Sequence, residues 1–249
     1  MIHNPWFYAV GAFAVLMTGV SKGGFAGGIG LLAVPLMALI INPVQAAGIM
    51  LPILVAMDVF GVIAYRKTFD KRNLLMLLPG SVVGVGIGAL TSGLVSEHYV
   101  KLVVGIITVA FALYWYTPKS DKPAKRGWLS GTLCGTGAGF TSFVSHAGTP
   151  PFQMHMLPQR LDKTIYVGTS VMFFASLNAM KTLPYALLGQ LNTGNLKTSA
   201  VLIPLAPIGM MLGIWLHNII PEKPFYRVCY AMVLVVGIKL LWDAIAGLT

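Results

Sequence analysis

Charged residues are scarce in this chain, making up 10% of its 249 residues against roughly a quarter in an ordinary soluble domain. Seven residues are acidic, whereas 56% of the chain is hydrophobic. A water-soluble core of this size would alternate polar and apolar faces, so water is excluded as the main solvent. Alternating strands of about ten residues, which an outer-membrane barrel needs, are also lacking. The composition therefore predicts a helical membrane protein.

Cysteine is nearly absent, since Cys134 and Cys229 are the only two and both lie inside apolar runs. This excludes a disulfide framework and a zinc site with paired cysteine ligands. A Walker motif is also lacking, which disfavours a primary pump. Residues 1–5 contain no Lys or Arg, so the positively charged start of a signal peptide is missing and we expect the first apolar run to be retained. We expect no metal and no cofactor.

The net charge of +10 raises the question of nucleic-acid binding. However, the basic residues lie in the gaps between apolar runs and do not form one patch interleaved with aromatic residues. This distribution is typical of charges that set the orientation of membrane spans. We therefore expect a lipid bilayer as partner and no nucleic acid.

Ten apolar segments follow one another, five on each side of a polar linker. Those of the first half are residues 6–20, 29–41, 44–64, 74–95 and 100–116. Those of the second half are residues 128–144, 149–157, 164–188, 196–217 and 225–246.

Three of these segments are too short to cross a hydrocarbon core of about 30 Å. At the rise of an α-helix, segments 6–20, 29–41 and 149–157 reach about 22, 20 and 13 Å. Segment 149–157 also follows a stretch rich in glycine, serine and proline. These lengths predict helices that are broken or re-entrant near the middle of the membrane.

The two halves share residues in the same order. Pro79, Gly84 and Gly88 have a spacing that recurs on the corresponding second-half segment at Pro204, Gly209 and Gly213. The dipeptide Gly-Phe at 24–25 also recurs at 139–140. The shared order predicts two transmembrane repeats, residues 1–117 and 128–249, joined by a linker at 118–127.

Positive charge predicts the orientation of the spans. Basic residues dominate the loop at 66–72 and the linker at 117–127, so both are predicted to be cytoplasmic. In the second half the charge pattern is swapped: residues 189–195 carry no charge, and Arg160 and Lys163 mark a break whose first-half counterpart is uncharged. The swap predicts inverted-topology repeats with both chain termini outside.

A glycine-rich stretch follows the first short segment. Non-helical backbone at membrane depth is tolerated only where protein or a water-filled cavity surrounds it. We expect Lys22, together with free amides at the start of the next half-helix, to bind an anion there. Alternatively, Lys22 extends to the headgroups and the glycines only allow close helix packing. The candidate binding residues are Ser21, Lys22, Gly23, Gly24, Gly27 and Gly28.

The corresponding second-half stretch is rich in hydroxyl groups and carries one imidazole. Such groups donate hydrogen bonds to oxyanions. Alternatively, the hydroxyls bond the helix backbone and the histidine is satisfied inside the protein. The candidate binding residues here are Thr141, Ser142, Ser145, His146 and Thr149.

Asp58 lies inside an apolar span, where a carboxylate is costly and usually faces a cavity or a partner. It is a candidate for proton coupling, as is His146, whose ring titrates near neutral pH. The alternatives for Asp58 are an ion pair with Lys22 or a protonated, packed acid. Asn178 occupies the similar place in the second half and, with Gln153, is a further candidate.

Three more residues, Tyr65, Tyr185 and Lys181, lie towards the ends of spans. We interpret them as interface anchors, because aromatic and basic side chains are enriched at membrane–water boundaries.

These residues together resemble the sulfite exporter TauE/SafE family, also called the TSUP transporters. The resemblance is strongest in Gly-Val-Ser-Lys-Gly-Gly-Phe-Ala-Gly-Gly at 19–28, in the prolines Pro35 and Pro52, and in Asp58 and Tyr65. It extends over essentially the whole chain and implies anionic substrates such as sulfite, thiosulfate, sulfoacetate or other organosulfonates. The second half departs from the pattern, since Ser-His-Ala-Gly at 145–148 stands where a lysine-bearing glycine turn would repeat.

The resulting hypothesis is a secondary transporter in a cytoplasmic membrane, a bacterial inner membrane in the first instance. It would move a small anion by alternating access, with sulfite, thiosulfate, an organosulfonate or a related carboxylate as substrate. The alternatives are an anion channel and an intramembrane hydrolase, although neither Ser21 with Lys22 nor Ser145 with His146 has an orienting acid nearby. The anion, the direction of transport, coupling to protons or sodium, and the oligomeric state stay open.

Overall fold

The computed structural model of the protein describes residues 2, 4–91, 94, 96–116 and 124–246. Eleven α-helices contain most of these residues, and no strand occurs among them. The predicted all-α fold is confirmed. Residues 117–123, and with them most of the predicted linker, lie outside the described part of the chain.

The helices follow the predicted apolar segments closely. In chain order they are α1 (Pro5–Gly24), α2 (Ala33–Ala38), α3 (Pro43–Tyr65), α4 (Lys71–Leu90), α5 (Glu97–Tyr116), α6 (Trp128–Ser145), α7 (Thr149–Met156), α8 (Lys163–Leu187), α9 (Thr193–Leu202), α10 (Leu205–Ile219) and α11 (Glu222–Ala246). A 3₁₀ turn, Ile29–Leu32, leads directly into α2, and a second one, Leu157–Gln159, follows α7.

One segment that was predicted to be a single helix is divided between two helices. Residues 196–217 form parts of two helices, α9 and α10, which are bent by 46°. The break lies at residues 203–204, because Pro204 has no N–H to donate to the preceding turn and its ring disfavours helical geometry just before it.

Polar side chains mark where several helices begin. Asn4, Asn42, Asp70 and Asn192 stand immediately before α1, α3, α4 and α9, and each accepts a hydrogen bond from a backbone N–H of the first turn. These N–H groups have no partner within the helix itself, so a short polar side chain just before it stabilises the end.

Three helices, α3, α4 and α11, are long and apolar enough to cross a membrane, and the bent pair of α9 and α10 adds a fourth span if counted as one. Large apolar side chains such as Ile63, Leu75 and Trp242 are more than half exposed on these helices. Such exposure is costly in water and favourable in lipid. The polytopic membrane fold is therefore confirmed.

The chain forms two compact units. The first contains Met1–Phe69 and Val167–Ile220, and the second contains Asp70–Tyr166 and Pro221–Thr249. Each unit combines helices from both sequence halves. These units are defined by contacts and the repeats by sequence order, so the two repeats at 1–117 and 128–249 stay a prediction.

In the first unit, α1 packs against α10 through small residues. A Cβ on Gly19 would lie 2.8 Å from the Cα of Gly209, and one on Gly24 would lie 2.7 Å from the carbonyl oxygen of Gly213. Small residues allow membrane helices to approach backbone to backbone, where dispersion and polar contacts hold them together. This packing fixes the end of α1, where several candidate residues lie.

In the second unit, α4 and α6 form an even closer pair. A Cβ on Gly80 or Gly84 would lie 2.0 or 2.1 Å from the carbonyl oxygen of Thr132 or Thr136. The same holds in the other direction, because a Cβ on Gly135 would lie 2.1 Å from the carbonyl oxygen of Leu77. No side chain larger than hydrogen fits at these positions without moving a helix.

Candidate functional site

The first helix is longer than the sequence predicts. Ser21, Lys22, Gly23 and Gly24 are the last residues of α1, and the break occupies residues 25–28. The prediction that the break begins at Ser21 was therefore wrong. The glycines at 23 and 24 remain within the helix, where they allow it to pack closely against α10.

The break itself is a sharp reversal of the backbone. The N–H groups of Phe25 and Gly27 both donate to the carbonyl oxygen of Ser21, at 2.8 and 2.9 Å. Ala26 and Gly27 have positive φ angles of 56° and 82°. This arrangement resembles the hydrogen-bonded turns that close helix C-termini and satisfies carbonyls that have no partner within the helix.

The amides that follow the break are already bonded. The Ser21 hydroxyl oxygen accepts hydrogen bonds from the N–H groups of Ile29 and Gly30, at 3.0 and 3.2 Å. The expectation that these amides are free to bind an anion was wrong, because the serine one turn before the break folds back onto them. These two amides therefore do not contribute to an anion site while the Ser21 hydrogen bonds are in place.

Lys22 is buried within the first unit, with 5% of its surface exposed, and does not extend to the headgroups. Its Nζ lies 2.5 Å from Oδ1 of Asp58 and 3.4 Å from the carbonyl oxygen of Leu54. Asp58 Oδ2 accepts a hydrogen bond from Nδ2 of Asn178, at 2.7 Å. Three residues that the sequence analysis named separately are thus in contact, and the ion-pair alternative for Asp58 is correct.

Lys181 also belongs to this cluster, although the sequence did not place it there. The prediction that it anchors the interface was wrong, since its side chain is fully buried and its charge interacts with those of Lys22 and Asp58. It lies three residues after Asn178 on α8, and residues at that spacing share a helix face. That spacing was the available signal.

Two hydroxyl groups donate hydrogen bonds to backbone carbonyls in the break or just before it. The Tyr65 hydroxyl donates to the carbonyl oxygen of Gly23 at 2.7 Å, and the Ser170 hydroxyl donates to that of Ala26 at 3.1 Å. Tyr65 and Tyr185 are both buried, so their assignment as interface anchors was wrong. Sequence gave no signal for Ser170.

The second-half candidates, apart from Asn178, lie in the second unit. Thr141, Ser142 and Ser145 are within α6, which ends at Ser145, and His146 has a positive φ of 53°. The break therefore occupies residues 146–148, and Thr149 begins α7. As at the first break, the sequence predicted an interruption in the right region but placed its start too early.

The hydroxyls at the end of α6 are used by the backbone. Thr141 Oγ1 donates to the carbonyl oxygens of Gly137 and Ala147, at 2.7 and 2.9 Å, and Ser145 Oγ donates to that of Thr141 at 3.2 Å. This is the structural alternative that the sequence analysis left open. Gln153, on α7, is buried, and its Nε2 has no hydrogen-bond partner among the described residues.

The two breaks share one hydrogen-bonding pattern at positions 120 residues apart. The Ala147 N–H donates to the carbonyl oxygen of Thr141, as that of Gly27 does to Ser21. The positive φ of His146 matches that of Ala26. Asp58 and Asn178 have the same separation, whereas the Gly-Phe match at 24–25 and 139–140 is five residues out of step with it.

The sulfite exporter TauE/SafE family model matches residues 11–240, which include every candidate residue above. The chain belongs to this family. No curated protein and no solved structure matched the chain in the same comparisons.

Membership in the sulfite exporter TauE/SafE family makes the chain an integral membrane protein of a transporter family that handles anions. The buried ammonium group of Lys22 is of a kind that can bind an anion. Among the described residues, no group of three or more histidine, cysteine, aspartate or glutamate side chains is placed to hold a metal ion.

Proposed function

We propose that this chain is a secondary transporter that moves a small anion across the cytoplasmic membrane by alternating access. The substrate class is sulfite, thiosulfate, an organosulfonate such as sulfoacetate, or a related carboxylate. The observation that carries the proposal is the buried cluster of Lys22 and Lys181 with a single carboxylate, Asp58.

Basic side chains outnumber acidic ones in this cluster. Asp58 is the only acidic residue in the sequence of the first unit, whereas two lysines lie beside it. Buried charge is costly unless it is paired, and the cost is greatest at membrane depth. An excess of buried basic over acidic side chains favours an anion over a cation as the transported solute.

Asp58 has a role in release as well as in binding. Oδ1 of its carboxylate lies 2.5 Å from Nζ of Lys22. An incoming anion competes with Asp58 for that group, which keeps affinity low enough for the anion to leave again. Protonation of Asp58 would weaken its hold on Lys22 and couple transport to protons, whereas Asn178 cannot titrate.

Alternating access is supported by the similarity between the halves. The two helix breaks have the same hydrogen-bonding pattern, and the basic loops are swapped between the halves. Inverted repeats with broken helices are the arrangement in which many secondary transporters expose a site to one side and then to the other.

Reconstituted liposomes test the proposed function directly. We expect uptake of at least one labelled anion from a panel of sulfite, thiosulfate, sulfoacetate and acetate, with saturation and with acceleration by the same anion on the opposite side. Flux that neither saturates nor shows counter-transport would identify an anion channel. Hydrolysis of a substrate that is lost in Ser21→Ala or Ser145→Ala, with flux unchanged, would identify an enzyme.

The proposed topology makes a separate prediction. In a background with Cys134 and Cys229 replaced by alanine, cysteines introduced at Gln190 and at Ser120, which lies outside the described residues, should react with a membrane-impermeant thiol reagent from opposite sides. Ser120 is predicted to be cytoplasmic and Gln190 to be outside, because the linker around Ser120 carries basic residues and the loop at 189–195 carries none. Reaction of both from the same side contradicts the inverted arrangement.

A further inference from the structure

A second basic site lies in the other unit, away from the lysine cluster in the chain. A cavity of about 490 Å³ opens where α4 and α6 begin and where the turn after α7 ends. Its lining residues are Asp70, Arg72, Asn73, Met76, Ala124, Lys125, Arg126, Gln159 and Leu161. Three side chains of the lining are cationic and one is anionic, so the cavity favours anions.

The single carboxylate of the lining is already engaged. Asp70 Oδ1 accepts a hydrogen bond from the N–H of Asn73 at 2.7 Å, as the residue that caps α4. The carboxylate therefore lies at the N-terminus of that helix. One carboxylate against three basic side chains leaves the lining with an excess of positive charge.

Arg126 is the feature of this cavity that points to a ligand. Its Nε is buried and has no hydrogen-bond partner among the described residues. A buried donor without a partner is destabilising, and more so when it is charged. An oxyanion bound in the cavity would accept this hydrogen bond and offset that cost.

The wall of the cavity is held rigidly. Asn73 exchanges hydrogen bonds with Gln159 at 2.9 and 3.0 Å, and its Oδ1 also lies 2.9 Å from Nε2 of His155. The segment that carries Arg126 is tied to the turn after α7, since the N–H of Ala124 donates to the carbonyl oxygen of Pro158 at 2.9 Å. The backbone segments that carry Arg72 and Arg126 are thus held by hydrogen bonds on both sides of the cavity.

An exposed tryptophan, typical of a membrane boundary, lies close to this cavity in the chain. Trp128, the first residue of α6, lies two residues after Arg126 and is 58% exposed. Tryptophan is enriched at the level of lipid headgroups, and basic pockets between membrane helices bind anionic headgroups. The cavity is also larger than a free tetrahedral oxyanion requires.

We propose that this cavity binds a phosphate-type oxyanion, carried by the headgroup of an anionic lipid or free in solution, with Arg72 and Arg126 as its principal ligands. This site is separate from the proposed transport site, and its occupation requires no flux. The ligand would join α4, α6 and the turn after α7 and stabilise the second unit.

Binding to the delipidated full-length protein, measured in an uncharged detergent, tests this proposal. The probes are short-chain phosphatidylglycerol, phosphatidylcholine of the same chain length, and inorganic phosphate. We expect phosphatidylglycerol to bind and phosphatidylcholine not to bind. Arg126→Gln and Arg72→Gln should each weaken binding about tenfold, because each removes a charge-assisted hydrogen bond.

The matched control is Arg227→Gln, which removes an exposed arginine from α11 and should leave binding unchanged. Arg72 is itself exposed, so its variant keeps the test valid if Arg126→Gln fails to fold. Binding of phosphate alone, with the same dependence on both arginines, identifies the free anion as the ligand. The proposal is overturned if neither phosphatidylglycerol nor inorganic phosphate binds the wild type, or if both arginine variants bind as the wild type does.

Discussion

Lys22→Gln is expected to lower anion flux into liposomes by about a hundredfold, which corresponds to losing a charged contact of about 3 kcal/mol. The reason is that Lys22 supplies a buried positive charge on the last turn of α1, where the neighbouring amides are already bonded by Ser21. The measurement is the initial rate of uptake of the best anion in the panel, per folded protein. Lys197→Gln, at an exposed lysine of α9, should transport normally.

The single substitution also leaves Asp58 without its ion-pair partner, and breaking a buried pair costs about 3–5 kcal/mol. A loss of folding would mimic a loss of binding. The double variant Lys22→Gln with Asp58→Asn removes both charges and keeps an amide oxygen for the hydrogen bond from Asn178. We expect it to recover thermal stability but not flux. Recovery of flux as well would show that Lys22 serves only the structure.

Gly84→Ala is expected to destabilise the protein by about 3 kcal/mol, at the upper end of the usual cost of overpacking. The added Cβ would lie 2.1 Å from the carbonyl oxygen of Thr136 and 2.7 Å from the backbone N of Phe140. Ordinary contacts between such atoms need about 3.5 Å, and both neighbours are backbone atoms that cannot rotate away. The measurement is the midpoint of thermal unfolding in detergent, together with the yield of monodisperse protein.

Gly86→Ala is the matched control for this prediction. It lies two residues further along the same helix, and no atom lies within 4 Å of the position that its Cβ would take. Alanine favours a helix over glycine by about 0.5–1 kcal/mol, so this variant should be as stable as the wild type or slightly more stable. Equal behaviour of the two variants would contradict the close packing of α4 against α6.

The two predictions concern two kinds of residue that a membrane protein uses for different purposes. Glycines such as Gly84 bring backbones together, because lipid gives apolar side chains little reason to associate. Lys22 and Asp58 carry a cost in the same environment, so each needs a partner close by. Packing decides where the helices lie, and the charged cluster then forms at the end of one of them.

The sequence could indicate a similar role for residues that are far apart in the chain, but it could not show which of them are in contact. Lys22 was named from the glycine-rich stretch, Asp58 as a polar group in an apolar run, and Asn178 from its matching place in the second half. Their mutual contacts depend on how α1, α3 and α8 pack, and no local pattern contains that information. Lys181 was misassigned for the same reason, because the end of a span and a buried site look alike in one dimension.

The sequence alone determined that the chain is a helical membrane protein, approximately where its apolar segments lie, and that helices are interrupted within a few positions of residues 24 and 145. These properties follow from hydropathy and from residues such as asparagine and proline, which act on their immediate neighbours. Only the tertiary structure decided that Ser21 bonds the amides after the first break, that Asp58 holds Lys22, and that Arg126 lies in a cavity. Those contacts join segments that are distant in sequence, and their geometry is set by the packing of whole helices.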